Sequence, residues 1–409
     1  MIIVEKNLIL EQYNLILIRY AEIWLKSQKV KIRMLKFLMN NIKNMLKRKG
    51  IHFNKYQLSK DSSRVFFFFN NKDIPNAIEV LKNAFGVHSL SPAIRTSNSL
   101  KNITERTIEL AKEILEKGDS FALRVRRSGK HDYTSMEVAK IVGKAVIDNL
   151  SKHNLKVNLT HPKKQIFIEI RQDFSYIFSQ VIKSKWGGLP IEPVKKILVM
   201  DIGRINDLIA GFLLMRRGSE IYPVLFDITE NKALNDIWIS NWKEVTDYIP
   251  FNQFRLIKVN LYNILKKLSS ELSDIQYFCG ICRLIRFDLL SRILSTSNFS
   301  FYKKIRAITD GASLSCSSIC SDSVDLDSIA LNHLISKFPI FTPVIGFGRD
   351  NIQNLAFKIS KKLKYIEYCP FKPKNQEFNA EKLKKIYENL NLDKILEESI
   401  EKIVEIKVF

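Results

Sequence analysis

Five cysteines are the residues of this chain best suited to metal or sulfur chemistry. All of them lie in the second half of the 409 residues: Cys279, Cys282, Cys316, Cys320 and Cys369. In a protein that we expect to be cytosolic, such clustering favours metal or sulfur chemistry over structural disulfides. The first four have the spacing CxxC and CxxxC, which suits a four-thiolate zinc site. An inert, buried pair is the alternative for Cys316 and Cys320.

A polar turn, Asp201–Asn206, is the second candidate site. It follows the apolar run Ile197–Met200 and precedes the apolar segment Leu208–Met215, and another apolar run lies at Tyr222–Phe226. Strand, loop, helix and strand in this order predict one βαβ unit. The loop after the first strand of such a unit meets a helix N-terminus, where N–H groups hold anionic ligands. A βαβ unit without a ligand fits the spacing equally well.

Positive charge is concentrated in the first half of the chain. The net charge is +23, and residues 1–190 hold 34 Lys and Arg against 16 Asp and Glu. A basic half joined to a nearly neutral half predicts that one part binds a polyanion, and we expect nucleic acid. A lysine-rich, solvated surface is the plainer interpretation.

One loop combines the side chains that nucleic-acid backbones require. The predicted strand Phe121–Arg127 ends in cations and is followed by Ser128–Ser135, which carries a lysine, a histidine, a tyrosine and hydroxyls. This mixture suits phosphate and ribose better than base edges. An ordinary surface loop could have the same composition.

No membrane or export segment is predicted. No apolar run approaches the ~20 residues needed to span a bilayer, and the N-terminal residues carry charges where a signal peptide needs an apolar segment. We therefore expect a cytoplasmic protein.

Hydrophobic periodicity predicts the elements that position these residues. The first hundred residues read as a small α+β sandwich with a basic amphipathic helix at Lys29–Lys49 and a buried, phenylalanine-rich strand at Arg64–Phe69. A helix–strand–helix pattern and a hairpin over Lys164–Ile182 follow. Strands and helices alternate over residues 190–370, which predicts a mostly parallel sheet, and Glu381–Ile403 reads as two helices.

Six segments, in collinear order, together resemble the tRNA 4-thiouridine synthetases, also called tRNA sulfurtransferases. They are RYAEIWLKSQ, AFGVHSLSPA, FALRVRRSGKHDYTS, GGLP, LLMRRGSEIYPVLF and FTPVIGF. The resemblance implies an α/β and α+β multidomain fold: a ferredoxin-like domain at 1–97, a THUMP RNA-binding domain at 98–185, a linker at 186–190, a Rossmann-like pyrophosphatase-loop (PP-loop) domain at 191–376 and a C-terminal helical extension at 377–409.

The resemblance also implies an activity and a partner. Such enzymes use ATP and Mg²⁺ to adenylate a uridine of tRNA, and sulfur then displaces AMP to leave 4-thiouridine. The first two domains hold the tRNA. The side chains we expect to contact RNA are Arg19, Lys26, Arg124, Arg126, Arg127, Lys130, His131 and Tyr133.

The nucleotide loop departs from the family pattern. The family's Ser-Gly-Gly-x-Asp-Ser matches Asp201 to Asn206, so that β-branched Ile202 replaces the first glycine and Ile205 the aspartate. Asp201 places a carboxylate where a triphosphate would approach, which predicts repulsion. The residues we expect at the nucleotide site are Val199, Met200, Asp201, Gly203, Asn206, Leu225, Phe226, Arg283 and Gly311.

The cysteines, by contrast, match the cluster-bearing archaeal members. By resemblance, Cys279, Cys282 and Cys369 hold an iron–sulfur cluster, with Cys369 the catalytic cysteine; zinc is the alternative. Three hypotheses remain. The first is an enzyme that still thiolates tRNA, by altered ATP binding or with adenylation by a partner. The second is a nucleotide-blind, tRNA-binding paralogue or subunit. A third is an RNA-binding module with a structural zinc. Sulfur would come from a donor partner or free sulfide, and we expect a homodimer.

Overall fold

The computed structural model describes residues 12–295, 304–314, 326–330, 332–366 and 368–409. The chain divides into two compact units, one ending at Pro190 and the other beginning at Ile191. Within the described ranges, no helix is both long enough and apolar enough to cross a membrane.

The first unit is built on one mixed sheet. Its strands are β1 (Leu15–Tyr20), β2 (Lys55–Leu58), β3 (Val65–Phe68), β4 (Val87–Thr96), β5 (Ser120–Arg127), β6 (Lys156–Val157), β7 (Lys164–Ile170), β8 (Ser175–Phe178) and β9 (Ile182–Lys183). Its helices are α1 (Gln28–Arg48), α2 (Ile74–Leu81), α3 (Leu100–Ile114) and α4 (Ser135–Asn149). The strand order is β2-β3-β1-β4-β8-β7-β5-β6, and β9 pairs with β4.

Strand β4 joins the two predicted domains of this unit. It pairs with β1 of the ferredoxin-like βαββαβ segment, with Leu15 opposite Ala93, and with β8 of the following segment, with Ile94 opposite Ile177. The ferredoxin-like fold and the hairpin of β7 and β8 confirm the sequence-based predictions. The two segments therefore share one continuous sheet instead of forming two separate cores.

The phenylalanine run is core, as predicted. Phe66 to Phe69 are all buried, and because side chains alternate across a strand, Phe67 and Phe69 pack on one side of the sheet and Phe66 and Phe68 on the other. The predicted linker 186–190 packs on the same unit: Trp186 is buried, and Gly86 donates its N–H to Gly187 O at 2.8 Å.

The second unit is a mostly parallel sheet covered by helices, as predicted. Its strands are β10 (Glu192–Asp201), β11 (Ser219–Asp227), β12 (Arg255–Asn260), β13 (Ile305–Thr309), β14 (Ile340–Phe341) and β15 (Val404–Lys407). Its helices are α5 (Ile205–Arg216), α6 (Lys232–Glu244), α7 (Tyr262–Glu271), α8 (Phe278–Ser295), α9 (Leu326–Ala330), α10 (Asn332–Ile335), α11 (Arg349–Ile359), α12 (Ala380–Asn389) and α13 (Asp393–Glu401).

The strand order, β14-β13-β10-β11-β12-β15, places β10 between β11 and β13, where the direction of the connections reverses. Ligands of open α/β sheets bind at the carboxyl ends of strands at such a point. The loops after β10 and β13 therefore form the natural candidate site.

The sequence patterns missed five of the elements described for this unit, among them the short α9, α10 and β14. Helix α6 lies where no helix was predicted, and β15 adds an antiparallel edge strand to β12 after the two predicted C-terminal helices. Helices α12 and α13 cover α8, with Leu383 and Leu396 in the core. Helix α8 is consequently buried on nearly every side.

Candidate functional site

The loop between β10 and α5 is a tight turn closed by a glycine. Gly203 has a φ of +89°, a backbone conformation that side chains rarely allow, and a Cβ at this position would lie 3.1 Å from Ile366 Cδ1. The turn leads directly into the first residues of α5. The predicted strand–loop–helix geometry is therefore confirmed.

The amide groups of this turn already hold a carboxylate that belongs to the protein. Asp207, fully buried in the first turn of α5, accepts hydrogen bonds from the backbone N–H of Ile202 (3.3 Å) and of Gly311 (2.9 Å). Arg204 binds the same carboxylate with Nε and Nη2, at 3.0 and 2.6 Å. The place where a helix N-terminus could hold an external anion is thus filled.

Asp201 is also internal, which corrects the expectation that its carboxylate faces a triphosphate. It is 1% exposed and accepts hydrogen bonds from the indole N–H groups of Trp238 and Trp242, at 2.5 and 2.7 Å, and from Gly203 N at 2.6 Å. Burial, and then the neighbouring Asp207, raise the pKa of Asp201 to about 7. This carboxylate ties α6 to the loop instead of repelling a ligand.

The loop after β13 packs directly on α5. A Cβ on Gly311 would lie 2.5 Å from the backbone nitrogen of Asp207, so only glycine permits the approach. Beside it, Arg283 donates to Asp310 at 2.9 Å, and both side chains are fully buried. Asn206 donates to Gly311 O at 3.3 Å. All nine residues predicted to contact nucleotide are buried: Val199, Met200, Asp201, Gly203, Asn206, Leu225, Phe226, Arg283 and Gly311.

A segment between α11 and α12 covers the loop. Lys364 exchanges two hydrogen bonds with the Asn241 side chain of α6, at 2.7 and 2.9 Å, and Ile366 then packs on Gly203. We call residues 361–366 the strap. The strap and the Asp207 carboxylate together close the loop from two sides.

Three predicted metal-binding cysteines line one small cavity next to this loop. Cys279 and Cys282, in the first turns of α8, are 5% and 8% exposed, and Cys369 is half-buried. The cavity of about 10 Å³, which Ile202 also lines, has room for about one water molecule. Cys316 and Cys320 lie outside the described residues, so the four-thiolate zinc site is not described either.

The donor set fits a three-cysteine cluster, but the space does not. Three thiols, with the buried Arg286 in the same wall, are suitable ligands for an anionic iron–sulfur group. However, no group of three His, Cys, Asp or Glu side chains in the described ranges is spaced to hold a metal ion, and the cavity is far smaller than a cluster. In this conformation the thiols form a closed apolar site.

The predicted RNA-binding residues of the first unit fall into two groups. Lys26, Arg126, Arg127 and Lys130 are exposed. The others, including Arg124 and the stacked rings of His131 and Tyr133, are partly buried. Three exposed cations thus lie at the end of β5 and in the loop that follows it.

Parts of that loop have structural roles. Thr134 and Glu137 form a reciprocal capping box at the start of α4, with the Thr134 Oγ1 accepting from Glu137 N at 3.2 Å. The Tyr133 hydroxyl donates to Asn98 O at 2.6 Å. These groups hold the loop, which leaves its exposed cations as the candidates for contact with RNA.

Arg19 belongs to a buried ion-pair cluster. Its guanidinium pairs with Glu169 at 2.8 Å, and the same carboxylate pairs with Arg64 at 3.0 Å and Arg171 at 2.7 Å. Burial alone would raise the pKa of Glu169, but the three guanidinium groups lower it to about 2. The cluster ties β1 and the start of β3 to the end of β7, which favours a structural role for Arg19.

Sequence reasoning missed the residues that close the loop. These are Asp207, Trp238, Trp242 and Ile366. A usable signal existed for α6, because Asn231 caps it through Ala233 N and two tryptophans follow at helical spacing. No local signal shows that Asp207 turns back onto the preceding loop.

Family models match almost the whole chain. The ThiI ferredoxin-like domain matches residues 15–91, the THUMP domain 97–180, and the family described as thiamine biosynthesis protein (ThiI) 195–392. A probable tRNA sulfurtransferase of Saccharolobus islandicus is 31% identical over 93% of this chain and 96% of its own. One from Methanosarcina acetivorans is 30% identical, over 85% and 81%.

Two solved structures share the fold. A 4-thiouridine synthetase–RNA complex with bound ATP has a TM-score of 0.81 at 19% identity, covering 97% of this chain and 100% of that one. PH1313 from Pyrococcus horikoshii has a TM-score of 0.60 at 22% identity, over 85% and 99%. The sequence relatives, together with this fold, show that the chain belongs to the tRNA sulfurtransferase family.

Proposed function

We propose that this protein binds tRNA through its first unit and that, with its loop in the closed form, it does not adenylate the tRNA on its own. One observation supports the proposed lack of adenylation. The Asp207 carboxylate accepts hydrogen bonds from the N–H groups of Ile202 and Gly311, and Arg204 holds it there. A triphosphate would have to displace a buried, paired carboxylate before it could use the same N–H groups. Removing one partner of such a pair typically costs about 3–5 kcal/mol.

The first part depends on charge. Residues 1–190 carry 34 Lys and Arg against 16 Asp and Glu, and the cations at the end of β5 are exposed. The solved relative with the same fold is a complex with RNA. Phosphate contacts from such side chains supply salt-dependent affinity with little sequence preference.

A calorimetric titration tests the closed loop. We expect no heat from ATP with Mg²⁺ on the wild-type protein. The variant Asp207→Ser removes the internal anion and keeps a small hydrogen-bonding side chain, and we expect it to gain binding of ATP or of pyrophosphate. Lys402→Ala, on the exposed surface of the same unit, is the control. Micromolar ATP binding by the wild-type protein would contradict the proposal.

A self-sufficient sulfurtransferase is the second candidate. Ile202 of the loop lines the same cavity as Cys279, Cys282 and Cys369, so nucleotide and sulfur chemistry would meet there if the loop and the strap opened. The three thiols would then hold an iron–sulfur cluster, and Cys369 would be the catalytic cysteine. Formation of 4-thiouridine in a tRNA transcript by the reconstituted protein with ATP and sulfide would establish this candidate and reject ours.

The partners follow from the same proposal. An active paralogue, or another adenylating subunit, supplies the activated uridine, and a donor protein or free sulfide supplies sulfur. Zinc without iron in the purified protein would favour an RNA-binding module with a structural metal. We further propose that the protein is cytoplasmic and forms a homodimer. Sedimentation analysis of the purified protein can test the dimer.

A further inference from the structure

A polar pocket lies where three loops of the first unit meet. It has a volume of about 140 Å³ and is formed by the β2–β3 turn, the β5–α4 loop and the β7–β8 turn. Ser128 and Gly129, at the start of the cationic loop described above, form part of its wall. The pocket therefore adjoins the surface at which we place the RNA backbone.

The size of the pocket suits one aromatic ring. A cavity of roughly 150 Å³ in an engineered protein binds benzene. One wall carries the stacked rings of Phe66 and Tyr176, whose centroids are 4.3 Å apart and whose planes differ by 12°. A flat heterocycle is thus the shape of ligand that this space accepts.

The polar groups of the wall are matched in charge. Lys60 pairs with Asp173 at 2.8 Å, and Arg171 pairs with Asp61 at 3.0 Å. Two cations balanced by two carboxylates disfavour a phosphate in the pocket and favour a neutral ring that can both donate and accept hydrogen bonds.

The Tyr176 hydroxyl is a donor in this wall that the described part of the protein does not use. Tyr176 is 3% exposed, and its hydroxyl makes no hydrogen bond to any residue in the described ranges. A hydroxyl that lines a pocket and has no protein partner is available to donate to a ligand. Burial raises the pKa of Tyr176 to about 12, which keeps the hydroxyl protonated and able to donate at neutral pH.

We propose that this pocket binds one unstacked nucleobase of the RNA that the adjacent cationic loop holds by its phosphates. Unpaired bases that leave the stack are the usual targets of base-specific RNA recognition, because their edges are then open to hydrogen bonds. In this pocket the Tyr176 hydroxyl donates to a carbonyl or ring nitrogen of the base, while the carboxylates of Asp61 and Asp173 accept from ring or exocyclic N–H groups. The inference rests on the proposed binding of tRNA.

Two variants test the pocket. Tyr176→Phe keeps the stack on Phe66 and removes only the hydroxyl. Gln57→Trp, on the exposed edge strand β2, fills the pocket from its rim. We expect Tyr176→Phe to weaken tRNA binding about fivefold, the usual effect of one hydrogen bond, and to leave the dependence of affinity on salt unchanged. Lys130→Ala, the matched control outside the pocket, should reduce that dependence.

The direct probe is a set of tRNA transcripts, each with 2-aminopurine at one unpaired position. We expect binding to wild-type protein to change the fluorescence at one position, and Gln57→Trp to abolish that change while Gln57→Ala retains it. If the transcripts bind but no position responds, or if the response survives Gln57→Trp, the pocket proposal is wrong and tRNA binding stands. If the wild-type protein binds no transcript, both proposals fail.

Discussion

The ion-pair cluster around Glu169 makes the sharpest prediction about stability. The carboxylate is 4% exposed and has three guanidinium partners within 3.0 Å, on Arg19, Arg64 and Arg171. Its pKa is about 2, against an ordinary value of 4.5. Each unit of pKa difference corresponds to about 1.4 kcal/mol, so ionised Glu169 contributes about 3 kcal/mol to the stability of the first unit.

The sign follows from proton binding. Because the folded pKa lies below the unfolded one, the contribution is present above pH 4.5 and is lost as the pH falls through about 2. Glu169→Gln removes the charge and leaves Arg19 and Arg64 in a largely buried site without this counter-ion, while Arg171 keeps its pair with Asp61. We therefore expect it to destabilise the first unit by about 3–5 kcal/mol at pH 7, and to remove this part of its acid sensitivity.

Urea unfolding of the full chain, followed by circular dichroism from pH 2 to pH 7, measures both effects. Asp173→Asn is the matched control, because the Lys60–Asp173 pair has side chains that are 63% and 40% exposed and should contribute less than about 1 kcal/mol. A loss below about 1 kcal/mol for Glu169→Gln, or an unchanged acid transition, would refute this account of the cluster.

Three further predictions concern the other sites. Lys130→Ala should lower the salt dependence of tRNA binding by about one unit of slope in a filter-binding assay, whereas Lys402→Ala should not change it. The free energy of unfolding of the second unit should fall as the pH rises from 5 to 8, because the pKa of Asp201 is raised in the folded state. Urea titrations at the two pH values test this. In the same titrations Trp242→Phe should destabilise the unit by about 1–3 kcal/mol at either pH, since it removes a hydrogen-bond donor to the Asp201 carboxyl group. In a background without the two cysteines outside the described ranges, the half-buried Cys369 should react with a thiol reagent well before the two cysteines of α8; equal rates would show that the cavity is open.

Much of the fold follows from local pattern. The apolar period of α1, the buried phenylalanine strand and the βαβ unit around Gly203 are each set by neighbouring residues, and each lies where the sequence predicts it. Helix α6 was not predicted because its buried residues, among them Trp238 and Trp242, are few and are separated by polar ones. Strand β15 was not predicted because a short edge strand depends on a partner strand, here β12, that is distant in the sequence.

The sequence by itself determined the charge difference between the two halves, the number and positions of the cysteines, and the altered residues of the loop. Residue types and their order are sufficient to establish these features. Only the tertiary structure decided which of these groups are available for chemistry. In the sequence, Asp207 is an ordinary residue in the first turn of a helix. It fills the loop only because the packing of α5 brings its carboxylate to the backbone N–H groups of Ile202 and Gly311. Likewise, Cys369 joins Cys279 and Cys282 because the chain that follows the strap returns past the loop. Contacts between residues so far apart depend on how whole elements pack, and no local pattern encodes them.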